Sequence, residues 1–148
     1  MVYNIFLDTN IIIDFLDPRR PFHNDSNILF KMLEEGRFKA HYSESVVTTT
    51  AYVIRKDFSK NNISEIMGNL NRQIILLACT AQYIKNTASM LPPDFEDALL
   101  YEIALHHQMD YFITSNIKDF RSIQRADLPV MNAKNFNKLL LASESETS

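Results

Sequence analysis

Apolar positions along this 148-residue chain fall into two alternating patterns. Short, largely apolar runs bounded by polar residues occur at 2–7 (VYNIFL), 38–42 (FKAHY), 73–79 (QIILLAC), 111–113 (YFI) and 128–131 (LPVM). Runs of that length and continuity suit strands of a parallel sheet buried on both faces. Between them, apolar residues recur at helical spacing over 10–16, 22–35, 43–58, 63–72, 80–90, 95–107 and 133–141. Pro18 and Pro21 break the pattern after the first helix, Gly36 closes the second, and Pro92-Pro93 ends the fifth. Ser43 or Ser45 is placed to cap the third helix and Asp94 the sixth. The β-branched centre of the third, TTTAYVI, leaves a strand open there on propensity alone. Residues 114–120 read as a loop or the start of a short helix.

Strands that alternate with helices predict a single α/β domain with a mainly parallel central sheet of four to five strands and helices on both faces. The domain is expected to span residues 1–141, with ASESETS at 142–148 a disordered polar tail.

Composition narrows the function classes. A formal charge of −3 argues against a broad phosphate-binding surface. Acids gathered around divalent cations would give the same sign, so a nuclease is not excluded. Cys79 is the only cysteine, which rules out an intrachain disulfide and argues against a cysteine-based zinc site. The N-terminus lacks the pattern of a secretory leader and no apolar run approaches the ~18 residues of a membrane span, so a cytoplasmic protein is expected. Gly36 and Gly68 are the only glycines, too few for phosphate-cradling or dinucleotide-binding loops. A haloacid-dehalogenase-like phosphatase is disfavoured because Asn10 stands where its second acid belongs.

Ligand sites of such sheets gather beyond the carboxyl ends of the strands. Four polar features fall there: Asp8, Thr9 and Asn10 after the first strand, the SESVVTTTAYVIRK helix after the second, Asp94, Glu96 and Asp97 after Pro92-Pro93, and Asn116 with Asp119 after the fourth strand. Carboxylates drawn to one sheet edge repel one another unless positive charge lies between them. Mg²⁺ and Mn²⁺ suit that place, since they prefer oxygen ligands and keep several waters.

The segments IFLDTNIIIDFL, SESVVTTTAYVIRK and PDFEDALLYEIALHHQMDYFITSNIKDF resemble, in order and spacing over residues 2 to 140, the successive motifs of PIN domains, especially the toxic ribonucleases of bacterial VapBC toxin–antitoxin pairs. The resemblance implies a Mg²⁺- or Mn²⁺-dependent endoribonuclease that hydrolyses RNA phosphodiester bonds with a metal-activated water. By position, Asp8, Asp97 and Asp119 would be the catalytic metal ligands. Thr9, Asn10, Asp94 and Asn116 would support them, with Asp94 also a helix cap. It also implies an RNA substrate, an antitoxin partner and a homodimer. One departure stands out: Thr49, or its neighbour Thr50, occupies the place on the third helix where an acidic ligand is usual. This favours, as an alternative, a weakened PIN domain that binds RNA or protein without cutting. Glu44 lies earlier on the same helix and substitutes only if the backbone there differs.

Other residues carry plainer readings. Asp14 is expected to be solvated or salt-bridged. Thr114, Ser115 and Lys118 are candidates for RNA contact, although a turn-stabilising hydrogen bond is the preferred account of the first two. Arg19, Arg20, Arg55, Lys56, Lys118 and Arg121 offer a modest basic rim. His23, His41, His106 and His107 lack metal-ligand spacing.

Overall fold

In the computed structural model the described residues are 2–147, with side chains up to residue 143. Five strands, β1 (Asn4–Leu7), β2 (Lys39–Ser43), β3 (Ile74–Leu77), β4 (Tyr111–Ile113) and β5 (Val130–Met131), form one sheet in the order β3-β2-β1-β4-β5. Every pairing is parallel. Seven α-helices are described: α1 (Thr9–Leu16), α2 (His23–Glu34), α3 (Glu44–Ile54), α4 (Lys60–Gln73), α5 (Ala81–Ser89), α6 (Phe95–His106) and α7 (Ala133–Thr147). A 3₁₀ turn at Ile117–Phe120 follows β4. The expected α/β architecture is the one found.

Successive side chains of a strand point to opposite faces, and the two faces of β1 and β4 are closed by different helices. On one face Phe6 stacks on Phe112 with centroids 5.3 Å apart, and Tyr101 of α6 and Phe120 of the 3₁₀ turn pack against Phe112 at 5.5 and 4.7 Å. On the other, Tyr3 and Tyr111 meet edge to face at 5.3 Å and Phe136 of α7 packs beside both. Burial on both sides explains why these strands read as continuous apolar runs.

The register determines what lies at the sheet edge. Phe6 pairs with Phe112 and Leu7 with Ile113, so β1 and β4 end level, and the Asp8 amide donates to the Ile113 carbonyl at 3.0 Å. The chain runs outward from β1 in both directions, to β2 and β3 on one side and to β4 and β5 on the other. The gap between the ends of β1 and β4 is therefore the topological switch point of the sheet, where open parallel sheets place their ligand sites.

Several boundaries differ from the sequence reading. The third helix ends at Ile54 rather than 58, because Asp57 and Phe58 amides fold back onto the Ile54 carbonyl. The next helix starts at Lys60 rather than 63, since the Ser59 hydroxyl caps it by accepting from the Asn62 amide at 3.2 Å. Ser43 stands at the N-cap of α3, but its hydroxyl bonds the Ser45 hydroxyl at 3.0 Å, so neither serine caps the helix through a backbone amide. TTT is helical: Thr50 donates to the Val46 carbonyl at 2.7 Å, and the Thr48 hydroxyl satisfies itself on carbonyls of the preceding turn. The last helix continues past Leu141 to Thr147, into the stretch read as a tail. The side chains from 144 onward and Ser148 lie outside the described residues.

Phe112 touches β1, α6 and the 3₁₀ turn at once, so truncating it opens a cavity under the sheet edge. Phe112→Ala is expected to cost about 3–5 kcal/mol in urea unfolding. A loss below about 1 kcal/mol would show that this aromatic cluster does not hold the core.

Candidate active site

Asp8 begins the site. It is the N-cap of α1, and its Oδ1 accepts from the Thr9 amide at 2.8 Å. Its Oδ2 accepts from the Thr114 hydroxyl at 2.8 Å and the Asn10 amide nitrogen at 3.2 Å. The level ends of β1 and β4 make the Thr114 contact possible. Only 4% of Asp8 is exposed. Burial pushes its carboxyl above the usual value, against the opposing effect of these hydrogen bonds, and the Glu96 charge adds to the rise.

Asp97 lies in the first turn of α6, separated from Asp8 in sequence by two further strands and five helices. The Asp94 carboxylate caps that helix, accepting from the Asp97 amide at 2.9 Å, as the sequence predicts. The Asp97 carboxyl is pushed up to about 7, first by burial and then by the charges of Asp8, Asp94, Asp119 and Glu96. Four carboxylates thus act on a fifth, two from the start of its own helix and two, Asp8 and Asp119, from chain-distant segments. Among the described residues no Lys, Arg or His forms an ion pair with any of the five.

Asp119 arrives by the loop after β4. That loop is pinned at one end by Thr114, wholly buried, and at the other by Phe120, also wholly buried against Phe112. The Thr114 oxygen also accepts from the Asn116 amide at 3.1 Å. Asp119 itself is exposed. The side chains of Asn116 and Lys118 are exposed on the same loop.

The other expected site residues have varied placements. Asn10 bridges the β1 and β4 ends: its amide nitrogen donates to Asp8 and to the Thr114 hydroxyl, and its oxygen accepts from the Ser115 amide at 2.8 Å. Thr9 has a buried hydroxyl with no hydrogen-bond partner among the described residues. Thr114, a candidate for RNA contact, has no exposed surface; its hydroxyl holds Asp8, and a ligand cannot reach it. Ser115 gives its hydroxyl proton to Asp14 at 2.6 Å, an internal bond that ties its loop to α1 rather than the local turn bond expected. Asp14 is salt-bridged to Arg20 but is 1% exposed, so the solvated alternative fails. Thr49 is half-buried on α3, and Glu44 lines a separate groove with Ser45, Leu77, Cys79, Leu99 and Ile103.

Most of the expected basic rim is committed elsewhere. Arg19 pairs with Asp17 and Asp57, Arg20 with Asp14, and Arg55 lies over the Tyr52 ring at 3.6 Å. The histidines do not converge: His23 meets the Asp14 carbonyl, His41 that of Ile5, His106 the Glu102 carboxylate and His107 the Ala78 carbonyl.

The donor set is all oxygen, strongly negative and without a basic counter-charge, which suits a hard divalent cation. Among the described residues no three His, Cys, Asp or Glu side chains stand as a ready-made metal cage. A cation that keeps several waters needs few protein ligands.

An acidic cluster thus lies at the β1/β4 switch point of an α/β domain built on a five-stranded parallel sheet. The profile of the PIN domain family matches residues 4–118, and the chain belongs to that family. It is 30% identical to ribonuclease VapC1 of Aquifex aeolicus over 136 residues, covering 89% of this chain and 92% of that one. Among solved structures, VapBC2 from Rickettsia felis, bound to a DNA fragment from its promoter, superposes with a TM-score of 0.67 at 18% identity, over 87% of this chain and 98% of the other. VapBC-1 from nontypeable Haemophilus influenzae gives 0.67 at 20% identity, over 88% and 98%. Mycobacterium tuberculosis VapC20, described as a sarcin-ricin loop cleaving toxin, gives 0.59 at 15%, over 73% and 86%.

The raised Asp97 carboxyl has a signed consequence for stability. The folded state holds a proton that the unfolded state releases near 3.8, so the stabilisation is complete below about pH 4 and is lost as pH rises toward 7. In EDTA, Asp97→Asn should flatten that decline and be more stable than the parent at pH 8, as read by urea unfolding at pH 5 and 8. An equal slope in the two proteins would contradict the electrostatic account.

Proposed function

We propose that this chain is a divalent-metal-dependent endoribonuclease and the toxin of a toxin–antitoxin pair, with residues 1–141 as its nuclease domain. The observation that carries the reading is the convergence of Asp8, Asp94, Glu96 and Asp119 on Asp97 without a basic partner. Such a cluster costs stability and is retained where it serves a positive ligand. Likeness to ribonuclease VapC1 and to VapBC structures supports RNA as substrate and an antitoxin as partner. A homodimer and a cytoplasmic setting belong to the same reading.

Asp8, Asp97 and Asp119 would hold Mg²⁺ or Mn²⁺, and a bound cation supplies Lewis acidity that activates water and offsets charge on the leaving oxygen. Asp8 is fixed by its three hydrogen bonds and presents a carboxylate of defined orientation. Asp97 keeps its proton near neutrality while the cluster is uncompensated and gives it up when positive charge arrives. Asn10 holds Asp8 and the β4 loop in one frame. Lys118, exposed beside Asp119, is available to an RNA phosphate.

Thr49 favours a second reading. It is half-buried on α3 and carries no charge, and its neighbour Thr50 is buried with its hydroxyl spent on Val46, so neither position supplies a carboxylate. The site then has fewer acids than PIN nucleases usually carry, and the domain would bind RNA or a protein partner with little cutting.

Cleavage of a structured RNA should need Mn²⁺, stop in EDTA, and fall about 10²-fold or more in Asp8→Asn and Asp97→Asn. Cutting that persists in EDTA or through both substitutions contradicts the proposed site. An inactive parent together with an active Thr49→Glu variant would establish the second reading instead.

A further inference from the structure

Asp14 lies on α1, 1% exposed, and every oxygen it offers is engaged. Its Oδ1 accepts from Arg20 Nε at 2.6 Å, its Oδ2 from the Ser115 hydroxyl at 2.6 Å, and its backbone carbonyl from His23 Nδ1 at 2.9 Å. Arg20 comes from the turn between Pro18 and Pro21, whose backbone is closed by hydrogen bonds from the Arg20 amide to Asp17 and from the His23 amide to Arg20. Ser115 lies 101 residues beyond Asp14, in the loop that carries Asn116 and Asp119.

Burying a carboxylate against a partly exposed arginine is a poor device for stability alone, since apolar residues of similar volume do as well or better. This one ends on the acid-bearing loop. The Asp119 carboxylate forms no ion pair among the described residues, so its position follows from the loop backbone. That backbone is fastened by Thr114, by Phe120 and, between them, by Ser115, held through its hydroxyl by Asp14 and through its amide by Asn10. Asn10 in turn holds Asp8. A continuous line thus runs from Arg20 through Asp14, Ser115 and Asn10 to Asp8.

We propose that Asp14, clamped by Arg20, is a positioning residue that sets the Thr114–Phe120 loop, and so Asp119, against Asp8 through the Ser115 hydroxyl. The proposal rests on the metal-site reading above. It places the Pro-bracketed turn, which carries none of the proposed acid ligands, in the support of the site. Partners one step behind metal ligands commonly govern affinity by about 10–100-fold.

The test uses the whole metal-stripped protein, with Mn²⁺ alone as probe. Ser115→Ala, which removes one hydroxyl from a half-buried position, should weaken Mn²⁺ binding in calorimetry about tenfold. It should also speed amide exchange over residues 115–119 while leaving the melting temperature near the parent's. Asp14→Asn should weaken Mn²⁺ binding and speed exchange in the same way, with a lower melting temperature because Arg20 loses its carboxylate partner; the double variant should bind no more weakly than Asp14→Asn alone, and Ser115→Thr should restore binding. Parent-like Mn²⁺ affinity and exchange in a folded Ser115→Ala protein, or additive losses in the double variant, would overturn the proposal. If the parent itself binds no Mn²⁺, or binds it no better than Asp97→Asn, the metal reading falls and the positioning role with it. A parent that binds and cuts while Ser115→Ala matches it overturns the positioning role alone.

Discussion

The site depends on an uncompensated repulsion. Parallel strands ending level at the β1/β4 switch point bring Asp8 beside the loop of Asp119, and the first turn of α6 adds Asp97 to the same space. Without a cation or a basic side chain among them, the carboxylates can relieve the strain only by keeping protons. Asp97, partly withdrawn from water and facing four other acids, bears most of that burden. The fold tolerates it because the surrounding frame is rigid. Phe6, Phe112 and Phe120 anchor the strands and the loop from below, while Thr114 and Asn10 tie the strand ends from above.

That frame explains how two roles share one residue. Asp8 is an N-cap, a structural duty that any strand-end aspartate can perform. Its second oxygen faces Thr114 and Asn10, partners from the loop after β4, more than 100 residues away, and from the first turn of α1. Capping settles the backbone; the second set of bonds settles where the carboxylate points.

Much of this was legible in the chain itself. Continuous apolar runs identify the buried strands, and Asp94 three residues before Asp97 marks the start of α6. The spacing of LDTN, DFED and TSNIKDF places three acids at one sheet edge once the strands are taken as parallel. Local pattern fails where tertiary packing decides. Asp14 reads as an ordinary polar position on an amphipathic helix, and only the fold brings Arg20 and Ser115 to it. Thr114 reads as a loop hydroxyl, yet the register of β4 against β1 buries it under Asp8. The length of α7 was hidden by the polar composition of its last turns, and the start of α4 by a single serine cap.

The central claim is that Asp97 stands in a cluster built for a divalent cation. The most direct measurement is the pH titration of the Asp97 carboxyl by NMR, first in EDTA and then with saturating Mg²⁺. The account predicts a midpoint at about 7 without metal and a large fall when Mg²⁺ is added. A midpoint near 3.8 in EDTA, or one that Mg²⁺ leaves unchanged, would contradict it.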